Sequence, residues 1–273
     1  MASKKISRLG YGKKLRIEHN PDAKGRQPRY TVMDVYTEEI THPQGVTTIL
    51  SEVLAKDLVG WALDMFEDAI LQKLNSLLDD EPLTTEDVAE AKQASNRKRN
   101  DGAASGSKVH ALIEAYLKGE EVTEIFDDEG VTNAFAAFVK WYGDTKPKVL
   151  GVEQVVYSQM YKYAGCCDAL LEIDGKVYLT DWKTTSASKK APKGIYPEMF
   201  IQLGGYAGAM IEEAMWGKGI GKLPKIDGLM VVSVKKDGKL DVAVREDVDW
   251  CAQIFRDVIS IKEFIKETEE GIK

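Results

Sequence analysis

Cysteine and long apolar runs are both scarce in this sequence, and each scarcity excludes a class of protein. Its three cysteines, two of them adjacent at Cys166 and Cys167, supply neither a disulfide framework nor a Cys-x-x-Cys metal pair. No apolar run is long enough to span a bilayer, and the first residues contain no apolar signal core. We therefore expect a reducing, cytoplasmic setting and no membrane partner.

Positive charge is in deficit overall but is unevenly distributed. The 273 residues have a formal net charge of −7, which argues against a protein that coats nucleic acid nonspecifically. Basic residues nevertheless concentrate over residues 4–29, in Arg97-Lys98-Arg99, and at Lys189, Lys190 and Lys193. An enzyme that acts on a polyanion needs basic groups near its site and can be acidic elsewhere. Each cluster can equally be a solvated polar segment.

The length fits one compact domain with an elaboration before its core. Residues 1–28 combine Gly, Pro and charge without apparent apolar periodicity, and we expect a flexible basic arm there. Residues 29–105 predict a strand and then helices, over about 47–78 and 82–99. Residues 106–273 predict the core, whose first helix begins after a break near Gly102 and Gly106.

The most informative stretch consists of two apolar runs that flank Asp174-Gly175. This pair accepts the positive φ angles of a tight turn, so we predict a β-hairpin. Asp168 lies near the open end of its first strand, and Asp181 and Lys183 lie near that of the second. All three therefore meet at one rim of a sheet. Because side chains alternate along a strand, Asp181 and Lys183 point to one face and Trp182 to the other.

Two carboxylates and an ammonium at one rim favour a cation with oxygen ligands, for which Mg²⁺ and Mn²⁺ are suited. The lysine would then hold a water or a phosphate oxygen. Asp-x-Lys at a strand end is also common as a solvated charge pair, and that alternative stays open. Glu153 is the only acid in the apolar run 149–157, so its carboxylate needs a partner such as Lys183 or the metal.

Four short motifs follow one another along the chain. They are Gly106-x-x-x-His110, Gly165-x-x-Asp168, Asp181-Trp182-Lys183-Thr184 and Gln202-x-x-x-Tyr206. In this order, over about residues 106–206, they resemble the PD-(D/E)XK nuclease superfamily. Within it the chain is similar to the RecB-like exonucleases of recombination enzymes, phages and mitochondrial genome maintenance.

The resemblance implies a fold of the α/β (α+β) class. A restriction-endonuclease-like core would place helices on both sides of a mixed central sheet, with a helical N-terminal elaboration. The implied catalytic residues are Lys183, Asp168, Asp181 and Glu153. The implied ligands of one or two Mg²⁺ or Mn²⁺ ions are His110, Asp168, Asp181 and the carbonyl oxygen of Trp182. Some relatives hold an iron–sulfur cluster with four cysteines; with three cysteines, no such cluster is expected here.

The expected partner is DNA, with ends or single strands preferred, and a recombination or single-strand-binding protein is a further candidate. The expected nucleic-acid contacts are Gln202, Tyr206, Arg97, Arg99, Lys189 and Lys190. The resemblance thus implies a metal-dependent DNA exonuclease of phage or bacterial recombination, repair or replication, in the host cytoplasm if phage-encoded. Two alternatives stay open: an endonuclease of the same fold, and a non-catalytic DNA-binding recombination subunit.

Overall fold

The structure is a computed structural model that describes residues 5–25, 27–54, 59–77, 81–122, 128–185, 193–216 and 224–272. Its first elements are β1 (Ile6–Gly10), β2 (Leu15–His19), β3 (Tyr30–Asp34), β4 (Ile40–Thr41), β5 (Gln44–Gly45), α1 (Val46–Val53), α2 (Val59–Ser76) and α3 (Thr85–Lys92). The later elements are α4 (Ala94–Leu117), α5 (Glu129–Thr145), β6 (Lys148–Ser158), β7 (Tyr163–Ile173), β8 (Lys176–Thr184), α6 (Pro197–Trp216), β9 (Gly228–Val234), β10 (Leu240–Arg245) and α7 (Val248–Ile272). None of the described helices is both long and apolar enough to cross a membrane.

A six-stranded mixed sheet lies at the centre of the described structure. Its strand order is β10-β9-β8-β7-β5, and β6 pairs with β7 as well. Along β8, Leu179 packs into a core cluster with residues of α6 and α7, whereas Trp182 packs into a second cluster with residues of α4 and α5. The two clusters thus lie on opposite faces of the sheet. The predicted mixed sheet flanked by helices is confirmed.

The predicted hairpin is formed by β7 and β8. Asp174 and Gly175 connect the strands with φ angles of 50° and 75°. Positive φ at both central residues is the geometry of a two-residue turn that matches the twist of the strands. The side-chain alternation is also confirmed, since Trp182 contacts Phe138 of α5 while Asp181 is bonded to α6.

The expectation of a flexible arm at residues 1–28 is wrong over β1 and β2. These strands join β3 and β4 in a four-stranded antiparallel sheet, here called the N-terminal sheet. Leu15, Ile17, Tyr30 and Val32 of this sheet pack against β6 and β7. In β2 apolar residues alternate with charged ones, which is the period-two pattern of a strand. The pattern is short, and the many charged residues of the segment made it hard to recognise in the sequence. The N-terminal elaboration therefore contains a sheet in addition to helices α1 to α3.

Polar contacts also join the N-terminal sheet to the core. The guanidinium of Arg8 makes two bonds to the Glu213 carboxylate of α6, at 2.8 and 2.6 Å, and its Nε donates to the carbonyl oxygen of Val155 in β6 at 2.5 Å. The Tyr11 hydroxyl donates to the carbonyl oxygen of Tyr157 at 2.8 Å. These bonds link the first strands to both β6 and α6.

The helices before the core differ from their predicted bounds. The helix predicted over 47–78 is two helices, α1 and α2, and α1 is capped by Gly45 rather than by a threonine. The predicted break near Gly102 is wrong, because α4 continues through Gly102 and Gly106. Two helical glycines cost about 1 kcal/mol each, and burial of Val109 and Ile113 in the same helix offsets that cost.

We predict that Leu15→Ala lowers the free energy of unfolding by about 2–5 kcal/mol, because it leaves a cavity under the N-terminal sheet. Leu15 is 7% exposed, whereas Leu9 in the neighbouring strand is 44% exposed. The matched control Leu9→Ala is expected to change stability by about 0.5 kcal/mol or less. Urea unfolding measures both. Equal effects of the two variants would contradict the packing of this sheet on the core.

Candidate active site

The site lies where β7 and β8 separate. Their ladder ends at the pair Ala169–Thr180, and towards its beginning β7 pairs instead with β5, at Tyr163 and Ala164. Asp168 and Asp181 are the first residues beyond that last pair. The amide of Trp182 donates to Asp168 Oδ2 at 2.8 Å. The Asp168 side chain thus bonds to β8 where the backbone of β7 no longer does.

A residue of helix α6 fixes the positions of Asp181 and Lys183 of β8. Asp181 is 3% exposed, and Lys183 Nζ lies 2.5 Å from Asp181 Oδ2. Gln202 joins the pair, since its Nε2 donates to Asp181 Oδ1 at 3.1 Å and its Oε1 accepts from Lys183 Nζ at 3.3 Å. Gln202 Nε2 also lies 2.9 Å from the Tyr206 hydroxyl. The Gln202-x-x-x-Tyr206 motif therefore positions Asp181 and Lys183.

Gly165 is required by the closeness of α6 to the sheet. A Cβ atom at this position would lie 2.6 Å from Cδ1 of Tyr206, well inside van der Waals contact. The glycine therefore lets the Tyr206 ring lie flat enough on β7 for its hydroxyl to reach Gln202. Gly106 has no such role, because the nearest atom to its added Cβ would be Cβ of Thr184 at 3.9 Å.

His110 projects from α4 towards the first carboxylate. Its Nδ1 lies 3.5 Å from Asp168 Oδ2. Burial lowers the pKa of His110, but the charge of Asp168 and the contact with it more than offset this, so the pKa is raised above its ordinary value. The imidazole and Asp168 therefore stabilise each other as an ion pair when no cation lies between them.

The two aspartates are in different electrostatic states. Burial raises the pKa of Asp168, but His110, Lys183 and the Trp182 amide together bring it below its usual value. Burial raises the pKa of Asp181 to about 6, with the neighbouring Asp168 adding to the effect and Lys183 opposing it. Lys183 is also buried, which lowers its pKa, yet Asp181 and Asp168 raise it overall. The site thus holds two carboxylates and a charged ammonium at neutral pH.

The donor set fits a hard divalent cation. Asp181 Oδ2 is buried and faces the Lys183 ammonium at 2.5 Å. A buried carboxylate needs a cationic partner, and a metal ion could share this oxygen with Lys183. Carboxylate oxygens of Asp168 and Asp181, with the His110 imidazole and the Trp182 carbonyl, are ligands that Mg²⁺ or Mn²⁺ accepts.

Glu153 lies opposite Asp168 on the neighbouring strand, between the pairs Val152–Ala169 and Gln154–Cys167. Its φ angle of 52° is in the left-handed region, where a non-glycine residue is strained. Burial and the charge of Asp168 raise the pKa of Glu153 to about 7. Its Oε2 accepts a hydrogen bond from the Cys166 thiol at 3.2 Å. The expected partner, Lys183, contacts Asp181 and Gln202 instead.

A cleft of about 610 Å³ opens beside these residues. Helix α4 forms one wall through Gly106, His110 and Glu114, and the N-terminal sheet forms the other through His19 of β2 and Arg29 of the connection from β2 to β3. His19 was missed from sequence because its segment was interpreted as a flexible arm, and Arg29 was noted only as part of the basic cluster over residues 4–29. The signal that could have found His19 is the alternation in Leu15-x-Ile17-x-His19, which puts His19 on the buried face of β2.

The predicted nucleic-acid contacts are divided among different places. Gln202 and Tyr206 lie at the site, as described above. Arg97 and Arg99 are exposed near the beginning of α4, where Arg97 Nη2 lies 3.9 Å from Glu90 Oε1. Neither arginine is among the residues that line the cleft. Lys189 and Lys190 lie outside the described residues.

No family model matches the chain, and a sequence comparison finds similarity to an exonuclease. Over 148 residues, 54% of this chain, it is 24% identical to human mitochondrial genome maintenance exonuclease 1. The match covers 41% of that relative's length, so the chain corresponds to less than half of it. An alkaline exonuclease from Laribacter hongkongensis is 11% identical, with a TM-score of 0.29 over 61% of this chain and 86% of that one. The sequence match indicates distant homology to a nuclease.

We predict that alanine has opposite effects at the two motif glycines. Gly165→Ala is expected to destabilise the fold by about 1–3 kcal/mol, because the new methyl group overlaps the Tyr206 ring. Gly106→Ala, the matched control, is expected to stabilise it by about 0.5–1 kcal/mol, because alanine is the better helix former and has room. Chemical denaturation distinguishes them, and a loss of stability at both positions would contradict the open space beside Gly106.

We predict that Glu153 makes stability depend on pH. Because its pKa rises from 4.5 to about 7 on folding, the folded state favours the protonated form, and its contribution is lost as pH rises from about 4.5 to about 7. At 1.36 kcal/mol per unit, the loss is about 3 kcal/mol. Unfolding free energies at pH 5 and pH 8 should therefore differ less in Glu153→Gln than in the wild type. An unchanged difference would contradict the raised pKa.

Proposed function

We propose that the chain is a divalent-metal-dependent deoxyribonuclease of the PD-(D/E)XK superfamily, in its RecB-like group. The proposed reaction is hydrolysis of phosphodiester bonds at DNA ends, with single strands preferred, in phage or bacterial recombination, repair or replication. The observation that supports it best is the placing of Asp168, Asp181 and Lys183 together where β7 and β8 separate. The distant homology to a mitochondrial exonuclease agrees with this proposal.

In this proposal Asp168, Asp181, His110 and the Trp182 carbonyl hold Mg²⁺ or Mn²⁺. The cation, when bound, supplies polarisation of a phosphoryl oxygen and neutralises charge that develops in the transition state. The raised pKa of His110 reflects its pairing with Asp168. Cation binding thus requires His110 to lose its proton, because only the neutral imidazole offers a nitrogen lone pair. Affinity for the cation is therefore expected to rise with pH.

Lys183 supplies the positive charge that phosphoryl transfer needs. Its pKa is raised by Asp181 and Asp168 in spite of burial, so the ammonium stays charged. Because its Nζ is held by Asp181 and Gln202, it is fixed in position before the substrate arrives. In the proposed mechanism it orients the attacking water or offsets the negative charge that grows on the phosphate.

Gln202 and Tyr206 are proposed to position Lys183 and Asp181 and to contact a phosphate or sugar at the edge of the site. Arg97 and Arg99, with Lys189 and Lys190, are proposed to contact the DNA backbone further away. Glu153 is proposed as a further acidic group of the site, across from Asp168.

The proposal takes a strand end as the preferred substrate. The cleft has a volume of about 610 Å³, that of a pocket for a drug-sized ligand, and a few nucleotide groups fit such a volume. The endonuclease stays the alternative.

The catalytic assignment is tested with Asp181→Asn and Lys183→Ala. Each is expected to lower the rate of DNA hydrolysis by about 100-fold or more, because each removes a charge that acts on the transition state. DNA binding should change little by comparison, and both variants should remain folded. Lys176→Ala, an exposed lysine of the same strand, is the matched control and should keep full activity. Losses of activity and stability in proportion would contradict the assignment.

The kind of nuclease is tested with end-labelled linear DNA and circular DNA, single- and double-stranded, each with Mg²⁺, Mn²⁺ or a chelator. Degradation of linear DNA alone, abolished by the chelator, is the expected result. Cleavage of circles would indicate the endonuclease instead. Binding without products would indicate the recombination subunit and would contradict the proposed activity.

A further inference from the structure

A second group of metal-ligating side chains lies beside the proposed active site, where the N-terminal sheet meets the core. His19 of β2, Glu153 of β6 and Cys166 of β7 each bring one ligand atom to within 4.8 Å of the others. Within the described parts of the chain, no other three His, Cys, Asp or Glu side chains are grouped this closely. We propose that these three residues bind a borderline-soft divalent cation, of which Zn²⁺ is the type.

An unsatisfied nitrogen of His19 points to this ligand. His19 is only 6% exposed, yet its Nδ1 has no hydrogen-bond partner among the described residues. A buried polar atom without a partner costs about 1–3 kcal/mol, so such atoms are rare unless something else binds them. A cation held with Glu153 and Cys166 would give this ring a partner.

All three ligands lie on strands rather than in loops. His19 ends β2, is paired with Ile6 and Tyr30 on either side, and stacks on the Tyr30 ring at a centroid distance of 4.8 Å. Cys166 is paired with Val155 in the core sheet, and its thiol donates to Glu153 Oε2 at 3.2 Å. Little ordering is therefore required for a cation to bind.

The backbone geometry at Glu153 accompanies the contact between its carboxylate and the Cys166 thiol. Cys167 packs into the cluster on the α6 side and Ala169 into the cluster on the α4 side, although residues two apart in a regular strand share a face. The pair of strands therefore rotates at Asp168 and Glu153, where Glu153 has its left-handed φ. This strained backbone accompanies a Glu153 carboxylate that reaches the Cys166 thiol.

The chemistry of the donors separates this site from the one at Asp168 and Asp181. An imidazole nitrogen, a thiolate sulfur and a carboxylate oxygen are the ligands that Zn²⁺ takes, whereas Mg²⁺ prefers oxygen alone. Three protein ligands leave a fourth position open to the cleft. Of the charged groups lining the cleft, Arg29 opposes a cation, while Glu114 and Glu153 favour it.

Binding changes the protonation of two groups, because Glu153, whose pKa is raised to about 7, must also be a carboxylate to bind the ion. The Cys166 thiol loses its proton to solvent as the sulfur–metal bond forms, so one proton is released for each ion bound at this residue. The hydrogen bond from the thiol to Glu153 is replaced by two bonds to the same ion. The ion would then join β2 to β6 and β7, that is, the N-terminal sheet to the core. This cation site does not depend on the proposed nuclease activity, because it is formed by these three side chains alone.

The test uses Co²⁺ as a spectroscopic substitute for Zn²⁺, added to the reduced, metal-free full chain. A thiolate-to-cobalt charge-transfer band that saturates at one equivalent is expected in the wild type. The band should persist in Asp181→Asn, which alters the other site, and in Cys251→Ser, which removes a buried thiol of α7. It should be lost in Cys166→Ser and weakened in His19→Gln. No band in the wild type, or an unchanged band in Cys166→Ser, would overturn the proposal.

A second measurement needs no variant of the site, in case Cys166→Ser does not fold. Alkylation of the wild-type thiols is followed by mass spectrometry with and without Zn²⁺. Zn²⁺ is expected to slow alkylation of Cys166 at least tenfold and to leave Cys251 unchanged, while Mg²⁺ should protect neither. Equal alkylation of Cys166 with and without Zn²⁺ would overturn the proposal, even if the chain proves to be a nuclease.

Discussion

The separation of β7 from β8 beyond the pair Ala169–Thr180 is the constraint on which the site depends. A buried backbone amide that has no partner on the neighbouring strand at such a separation needs another hydrogen-bond acceptor. Asp168 provides it by accepting a hydrogen bond from the Trp182 amide, and the same bond fixes the Asp168 carboxylate between the two strands. The next carboxylate, Asp181, faces the same opening from β8. Two acids that repel each other are thus brought together by backbone geometry.

Burying these charges is costly, and the surrounding residues reduce the cost. Lys183 neutralises Asp181, His110 pairs with Asp168, and Gln202 bonds to both members of the Asp181–Lys183 pair. Such paired charges stabilise a fold little by themselves, because desolvation consumes most of the Coulomb energy. In the proposed function, a cation and a phosphate account for this arrangement. The elements that hold these charges, α4 and α6, pack on opposite faces of one sheet, and the site lies between them where β7 and β8 separate.

The N-terminal sheet alters what the core can bind. It is attached to the core through its buried apolar face and through the Arg8 contacts with Glu213 and Val155. In this position it forms a wall of the cleft and brings His19 next to Glu153 and Cys166. A segment with the composition of a solvated arm thereby supplies part of the surroundings of the site. In β2 the charged residues lie on the outer face and the apolar ones pack inward, whereas Arg8 of β1 points to the core.

Local pattern alone determined the hairpin at Asp174-Gly175 and the alternation of Asp181 and Trp182, because turn chemistry and side-chain period act over a few neighbouring residues. The continuity of α4 through its glycines, the approach of Tyr206 to Gly165 and the grouping of His19 with Glu153 were decided by tertiary structure. Those contacts join residues far apart in the chain, and their energy comes from packing and burial that no short window of sequence contains.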